Sequence, residues 1–330
     1  MTNFSVESKL SPIIRASSRN SKDETPIFCS ENDHSPGEVV NCDLCGKDDF
    51  KPLFKECGFT FGQCRNCSLY YIRSRPTEEV QAKIVRDTSF RNSQSYMEEE
   101  FLELSLFREE ECSEYLQTIE KFVKEGRLLD VGCGIGTLMW FAQKRRWQVE
   151  GVELNNHRLR IAAAMNIGKI HSRPVEELNL KKASFDIVTM INVFGHLRSP
   201  KRTLKQLMCL LKPKGLLLMR TGEFRHNPTK LDLPPWGLGI PHHLIWNSKN
   251  TFELYGNKID AEIVYYKSIP FNEYFLRNKF KYNSTKSYKQ FAKVVLRNIP
   301  GLINLVISWD NWNKRKNPIY DTTIIYQKRS

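Results

Sequence analysis

Three groups of residues in this 330-residue chain have the types and spacing to do chemistry. The first is Asp130-Val-Gly132-Cys133-Gly134-Ile-Gly136, set between an apolar run (Leu128, Leu129, Val131) and the helical pattern that begins at Leu138. A strand, a glycine loop and a helix start together make a nucleotide-binding turn: glycine lets the backbone approach a ligand closely, and a helix N-terminus presents unpaired N–H groups. A dinucleotide fingerprint needs glycine at its sixth position, where Thr137 stands instead. Seventeen residues past Gly136 the run Gln148–Val152 is followed by Glu153, an acid at a strand end that can accept both hydroxyls of a ribose. The second group is Cys42-Asp-Leu-Cys45 and Cys64-Arg-Asn-Cys67, separated by 18 residues. Two such knuckles point four thiolates at one ion, the arrangement of a structural zinc ribbon, with no position left open for catalysis. The third group is histidine: His196, and His226, His242 and His243 within the aperiodic stretch 222–243. If the reaction must take a proton from a hydroxyl, histidine is the commonest base, and the candidates rank His243, His242, His196 and His226.

The Asp-x-Gly-x-Gly-x-Gly loop resembles motif I of the class I S-adenosylmethionine-dependent methyltransferases, in which it wraps the methionine part of the cofactor. The resemblance implies cofactor contacts at Asp130, Gly132, Cys133, Gly134 and Gly136, and ribose binding at Glu153. Phe185–Ile191 resembles motif IV of the same family, with Asn192 at the mouth of the cleft. There the usual Glu-His turn reads Gly195-His196, so the family's carboxylate is missing. Where many relatives carry an adenine-contacting Asp, this chain has Pro174, which leaves adenine to a backbone amide near Val175 or to Glu176. Lys212-Pro-Lys-Gly215 is similar to the family's turn before its fifth strand, with Lys214 in place of a glycine. The paired Cys-x-x-Cys knuckles, the apolar strand after them and the Arg75-Pro76 exit resemble a module that precedes the methyltransferase domain in many bacterial enzymes of the type 11 and type 12 groupings. Tyr96 falls where relatives often place an aromatic near the cofactor.

These groups need elements to position them. Residues 1–39, rich in Ser, Asn, Asp and Glu, read as a disordered tail containing a lone Cys29. Residues 40–76 form the zinc ribbon, with a hairpin between the knuckles that also contains Cys57. Residues 77–125 form a helical cover, with one helix capped at Thr77 and a second spanning 98–124, whose apolar positions include Leu116, Ile119 and Phe122. Residues 126–330 form the cofactor domain. Its strands run from 127, 148, 169, 185 and 216, Ser199-Pro200 caps a helix, another covers Ser248–Tyr255, and strands at Glu262–Tyr266 and Thr322–Tyr326 pair antiparallel as in the family. The fold class expected is α/β, a Rossmann-like doubly wound, mostly parallel sheet with a small N-terminal zinc ribbon. An insert at 270–318 separates the last two strands, where relatives have a short turn.

Hydrophobic content of 40% and charged content of 26% are those of a soluble globular protein. With no signal-peptide core and no apolar run of transmembrane length, the expectation is a cytoplasmic protein. Nine cysteines in such a chain point to metal and not to a disulfide framework. Of the net charge of +13, +9 lies in residues 271–330. There Lys286, Lys289, Lys293 and Arg297 recur at helical spacing opposite apolar residues, so that 286–309 can lie on an anionic membrane surface. The function expected is methyl transfer from S-adenosylmethionine, favouring oxygen, to a small-molecule or glycan acceptor. An RNA methyltransferase is the alternative raised by the ribbon and the pI near 9.3. Against it, residues 41–76 hold six Lys/Arg and four acids, so the ribbon is barely basic. A third reading is a zinc-stabilised binding protein that has lost catalysis.

Overall fold

The computed structural model describes residues 37–56, 58–86, 107–225, 238–270 and 319–329. The tail 1–36 with Cys29, Cys57, Tyr96, the start of the helix expected at 98–124, residues 226–237 with His226, and the segment 271–318 with its expected membrane contact at 286–309 lie outside the described residues.

The N-terminal strands are β1 (Glu38–Val39), β2 (Phe50–Glu56), β3 (Phe59–Cys64), β4 (Tyr70–Ile72) and β5 (Ser74–Arg75). Helices α1 (Glu78–Arg86) and α2 (Phe107–Ile119) follow. Then come β6 (Arg127–Val131), α3 (Thr137–Lys144), β7 (Gln148–Val152), α4 (Asn156–Met165), β8 (Lys169–His171), β9 (Phe185–Ile191), α5 (Pro200–Leu210) and β10 (Leu211–Phe224). The described chain closes with β11 (Ile245–Trp246), α6 (Lys249–Lys258), β12 (Ala261–Pro270) and β13 (Ile319–Lys328).

Seven strands make the main sheet in the order β12-β13-β10-β9-β6-β7-β8. The five strands from β8 to β10 are parallel, and β13 and β12 add antiparallel at one edge, as expected. The central strands carry near-continuous apolar runs because they are covered on both faces: Leu128, Leu129, Ile187, Val188 and Met190 are all fully buried. The chain runs outward from β6 to β8, then returns to the other side of β6 for β9 and β10. That reversal opens a crevice at the C-terminal ends of β6 and β9, where ligands bind in open α/β sheets.

Three details differ from the sequence expectations. Helix α2 stops at Ile119, and Phe122, expected on its apolar face, is 41% exposed because the chain is already turning toward β6. The turn at Lys212–Gly215 is a bulge inside a longer strand, with the register shifting between Leu211 and Leu216 and Lys214 left-handed at φ 59°. Ser199 precedes α5 without a side-chain cap. Asp43 of the first knuckle does that work instead, its carboxylate accepting the Lys201 N–H at 2.9 Å.

That contact is part of a larger union. A second sheet, ordered β11-β4-β3-β2, takes three strands from the ribbon and its fourth from residues 245–246. Phe61 lies at the join, its ring 5.1 Å from Trp246, 6.2 Å from Phe224 and 4.9 Å from Phe54. Cys42, Phe59, Phe61 and Leu69 share one buried cluster with Val131, Met190, Met219 and Phe252 of the main sheet and its helices. Ribbon and sheet therefore bury their apolar surface together. Truncation of Phe61 to alanine is expected to cost about 3–5 kcal/mol. Ribbon and cofactor domain should unfold in a single transition, with near-UV circular dichroism and far-UV circular dichroism giving coincident midpoints.

Candidate active site and metal centre

The glycine loop leaves β6 with left-handed backbone at each glycine: φ is 75° at Gly132, 57° at Gly134 and 88° at Gly136. The three differ in what surrounds them. A Cβ at Gly132 would sit 2.2 Å from Val193 and one at Gly136 2.8 Å from Ile167, whereas one at Gly134 would meet nothing within 4 Å. The outer two glycines thus allow close packing, and the middle one keeps bare backbone facing open space. Cys133 turns the other way. Its sulfur packs inward against the backbone of Gly151, so this position offers a ligand its main chain and not its thiol.

Glu153, just past β7, reaches back to the loop. Its carboxylate accepts N–H bonds from Gly134 at 2.9 Å and from Leu154 and Asn155 at 2.7 Å each. Asn155 in turn caps α4 by accepting from His157 and Arg158. Asp130 lies beneath the loop, fully buried, with its carboxylate accepting the Thr189 hydroxyl at 2.7 Å. Burial raises its pKa to about 7, with the neighbouring Glu153 charge adding to the shift and the Thr189 hydrogen bond opposing it. Thr189 was not anticipated as a site residue; its signal is a single hydroxyl within the apolar run of β9.

Asn192 stands exposed at the end of β9, left-handed at φ 56°, its N–H bonded to the Arg220 carbonyl at 2.9 Å. Val175 opens a short 3-10 turn (Val175–Glu177) and is buried. Glu176, the other adenine candidate, has its carboxylate bonded to the Thr203 hydroxyl.

The structure brings the expected histidines together. The His196 and His243 rings stack at 4.4 Å and 24°. Nδ1 of His196 lies 2.8 Å from the His242 carbonyl, and Nδ1 of His243 lies 3.0 Å from the Leu238 carbonyl. Since a carbonyl can only accept, each Nδ1 is the protonated nitrogen and the basic lone pair lies on Nε2. His242 contributes to this pair through its backbone. The missing Glu at position 195 now has a physical reason. A Cβ on Gly195 would lie 3.0 Å from the His243 ring and 3.3 Å from the Ile245 carbonyl. Gly239 hems the ring on another side, where a Cβ would lie 2.8 Å from Nδ1. The two glycines form the seat of His243.

The four cysteines also converge. All four sulfurs lie within 4.8 Å of one another, with Cys42–Cys67 at 3.4 Å and Cys45–Cys64 at 3.5 Å. The sulfur–sulfur edge of a tetrahedral zinc–thiolate site is about 3.8 Å for a metal–sulfur bond of about 2.3 Å. The knuckles repeat each other's backbone. The first cysteine of each accepts the N–H four residues on, from Gly46 at 2.7 Å and Ser68 at 2.8 Å, and both of those residues are left-handed.

A doubly wound sheet, a glycine loop at its switch point and an acid at the end of the next strand define a nucleoside-binding fold of the class I methyltransferase kind. Residues 104–254 match a family described as a methyltransferase domain. The matched stretch contains the glycine loop, Glu153 and the strands that border the crevice. The chain is 32% identical over 136 residues to the ubiquinone biosynthesis O-methyltransferase of Idiomarina loihiensis, covering 38% of this chain and 53% of that protein. Identity to the protein of that name from Bordetella avium is also 32%, over 114 residues, covering 33% and 47%. The chain thus spans about half the length of the curated relatives it matches. A solved geranyl diphosphate methyltransferase in complex with SAM shares the fold, with a TM-score of 0.50 and 15% identity over 72% of this chain and 92% of that one.

Asp130 makes stability depend on pH in a definite direction. Its folded pKa lies above its unfolded value, so ionisation is easier in the unfolded chain, and stability falls as pH rises from about 4 through 7. Asp130→Asn removes this dependence. Urea unfolding should show the variant gaining on the parent by about 1.4 kcal/mol for each pH unit across that window, and no further change below pH 4.

Proposed function

We propose that this chain is an S-adenosylmethionine-dependent O-methyltransferase acting on a hydroxyl of a small-molecule or glycan acceptor. The observation that carries the reading is the pairing of the bare Gly134 backbone, open to the cleft, with the Glu153 carboxylate bonded to that same residue's N–H. In this reading the backbone of 132–136 lies along the methionine part of the cofactor, Glu153 takes the ribose hydroxyls, and Val175 and Asn192 line the adenine side and the mouth. The cofactor supplies an activated methyl group on a sulfonium. The protein's task is then to align the acceptor oxygen and to exclude water. His243 is the proposed base, with Nε2 taking the hydroxyl proton, while His196 stacks on its ring and the Leu238 carbonyl holds its tautomer. The names of the curated relatives support oxygen as the acceptor atom.

An RNA acceptor finds less support. The ribbon's aromatic rings Phe61, Tyr70 and Phe54 pack on one another and against Phe224 and Trp246, so they make a core and not a stacking platform for bases.

Two measurements test the reading. Calorimetry should detect S-adenosylmethionine binding to the parent and its loss in Glu153→Ala. In His243→Gln, cofactor binding should survive while methyl transfer to a panel of hydroxylated acceptors falls by about 10²–10⁴-fold. Failure of the parent to bind the cofactor sinks the proposal.

We also read the cysteine cluster as a structural Zn2+ site held by Cys42, Cys45, Cys64 and Cys67. Metal analysis of the purified protein should return about one zinc per chain. Chelation should lower the thermal midpoint of the whole domain, because ribbon and sheet share a core.

A further inference from the structure

Helix α1 carries an unusual residue at the centre of its buried face. Val80, Ile84 and Val85 are half-buried, Glu78, Glu79, Ala82, Lys83 and Arg86 are exposed, and the most buried position is Gln81, at 3%. An apolar residue is the ordinary occupant of such a site. The Gln81 amide, oxygen and nitrogen alike, finds no hydrogen-bond partner among the described residues. A buried amide left unpaired costs about 1–3 kcal/mol.

The anchoring of α1 shows what lies below it. At its N-terminal end the Pro76 carbonyl accepts from Arg198, two residues beyond the turn that follows β9. At its C-terminal end the Val85 carbonyl lies 3.4 Å from the Asn155 amide nitrogen, three residues beyond β7. In the sheet β9 and β7 flank β6, whose end is the glycine loop. Two strand spacings are about 10 Å and a nine-residue helix is about 13 Å, so α1 is long enough to bridge the crevice. Gln81 lies one helical turn before Val85, whose carbonyl meets Asn155 two residues past Glu153.

We infer that Gln81 is a cofactor-contacting residue, whose amide closes the nucleoside cleft from the side opposite the glycine loop and pairs with the polar groups of S-adenosylmethionine. This rests on the cofactor assignment made above. A carboxamide offers one acceptor and two donors, which suits a ligand whose amino-carboxylate and ribose hydroxyls present both kinds of partner. The amide, unpaired among the described residues, is then a cost borne by the unliganded protein and relieved on binding.

The test is calorimetry with S-adenosylhomocysteine, without acceptor, on the parent, Gln81→Leu and Gln81→Met, together with thermal melts of the unliganded proteins. Both variants should raise the dissociation constant about tenfold or more, equivalent to about 1.4 kcal/mol. Their unliganded midpoints should equal or exceed that of the parent, because an unsatisfied amide has been removed. A merely structural glutamine gives the opposite pair of results, lower midpoints and unchanged affinity, and either of these overturns the inference. If the parent itself does not bind S-adenosylhomocysteine, the cofactor assignment fails first and this inference falls with it.

Discussion

The backbone pairing between β4 and residues 244–246 is the contact on which the candidate site depends. Ile72 donates its N–H to the Leu244 carbonyl at 3.0 Å, Tyr71 and Tyr70 pair with Ile245 and Trp246, and the Leu244 N–H reaches the Gly195 carbonyl at 2.7 Å. A short stretch of chain is thereby clamped between the ribbon and the loop after β9. His243, one residue before it, has no freedom to leave His196. The same ribbon delivers α1 through β5, with Arg75 donating to the Arg198 carbonyl at 2.7 Å. The four-cysteine cluster thus holds the strands that position the histidine pair and lead into α1. A ribbon of this size has too little apolar surface to fold alone, and the core it shares with the main sheet supplies the rest.

A second constraint explains why the chain returns to the sheet after β12. Arg220 is 4% exposed and makes a bidentate pair with Asp321 of β13, with contacts of 2.7–3.0 Å. It also binds Glu111 of α2, which accepts the Tyr115 hydroxyl at 2.8 Å. Removing one partner from such a buried network leaves an uncompensated charge, which costs several kcal/mol, whereas the intact network adds little net stability. Its effect is to fix register: β13 pairs with β10 over nine residues, and the cover helix is tied to the floor of the crevice. On the opposite face of β10, the buried Glu223 carboxylate accepts from Tyr266, Ser268 and Thr322, so β12 and β13 are also joined through side chains.

Much of this architecture could be read from local pattern. The runs at 128–131 and 185–191 are strands because they are largely apolar and bounded by turn residues, and the spacing of Gly132, Gly134 and Gly136 marks a loop built on left-handed backbone. The Cys-x-x-Cys pairs are equally local: each knuckle is a turn closed within six residues. Such features depend on neighbours in sequence, and sequence carries them whole.

What tertiary structure alone decided is which distant groups meet, and so which departures from a family pattern matter. Gly195 read as the loss of a carboxylate, and in space it is the room that the His243 ring occupies. Ser199 read as a helix cap, and the capping acid is Asp43, far back in the chain. Gln81 carries no signal in the sequence, and its burial without a hydrogen-bond partner among the described residues sets it apart. In each case the deciding quantity is a distance or an exposure between segments that share no local pattern. Side-chain periodicity reports which face of an element is apolar, not what that face will be pressed against.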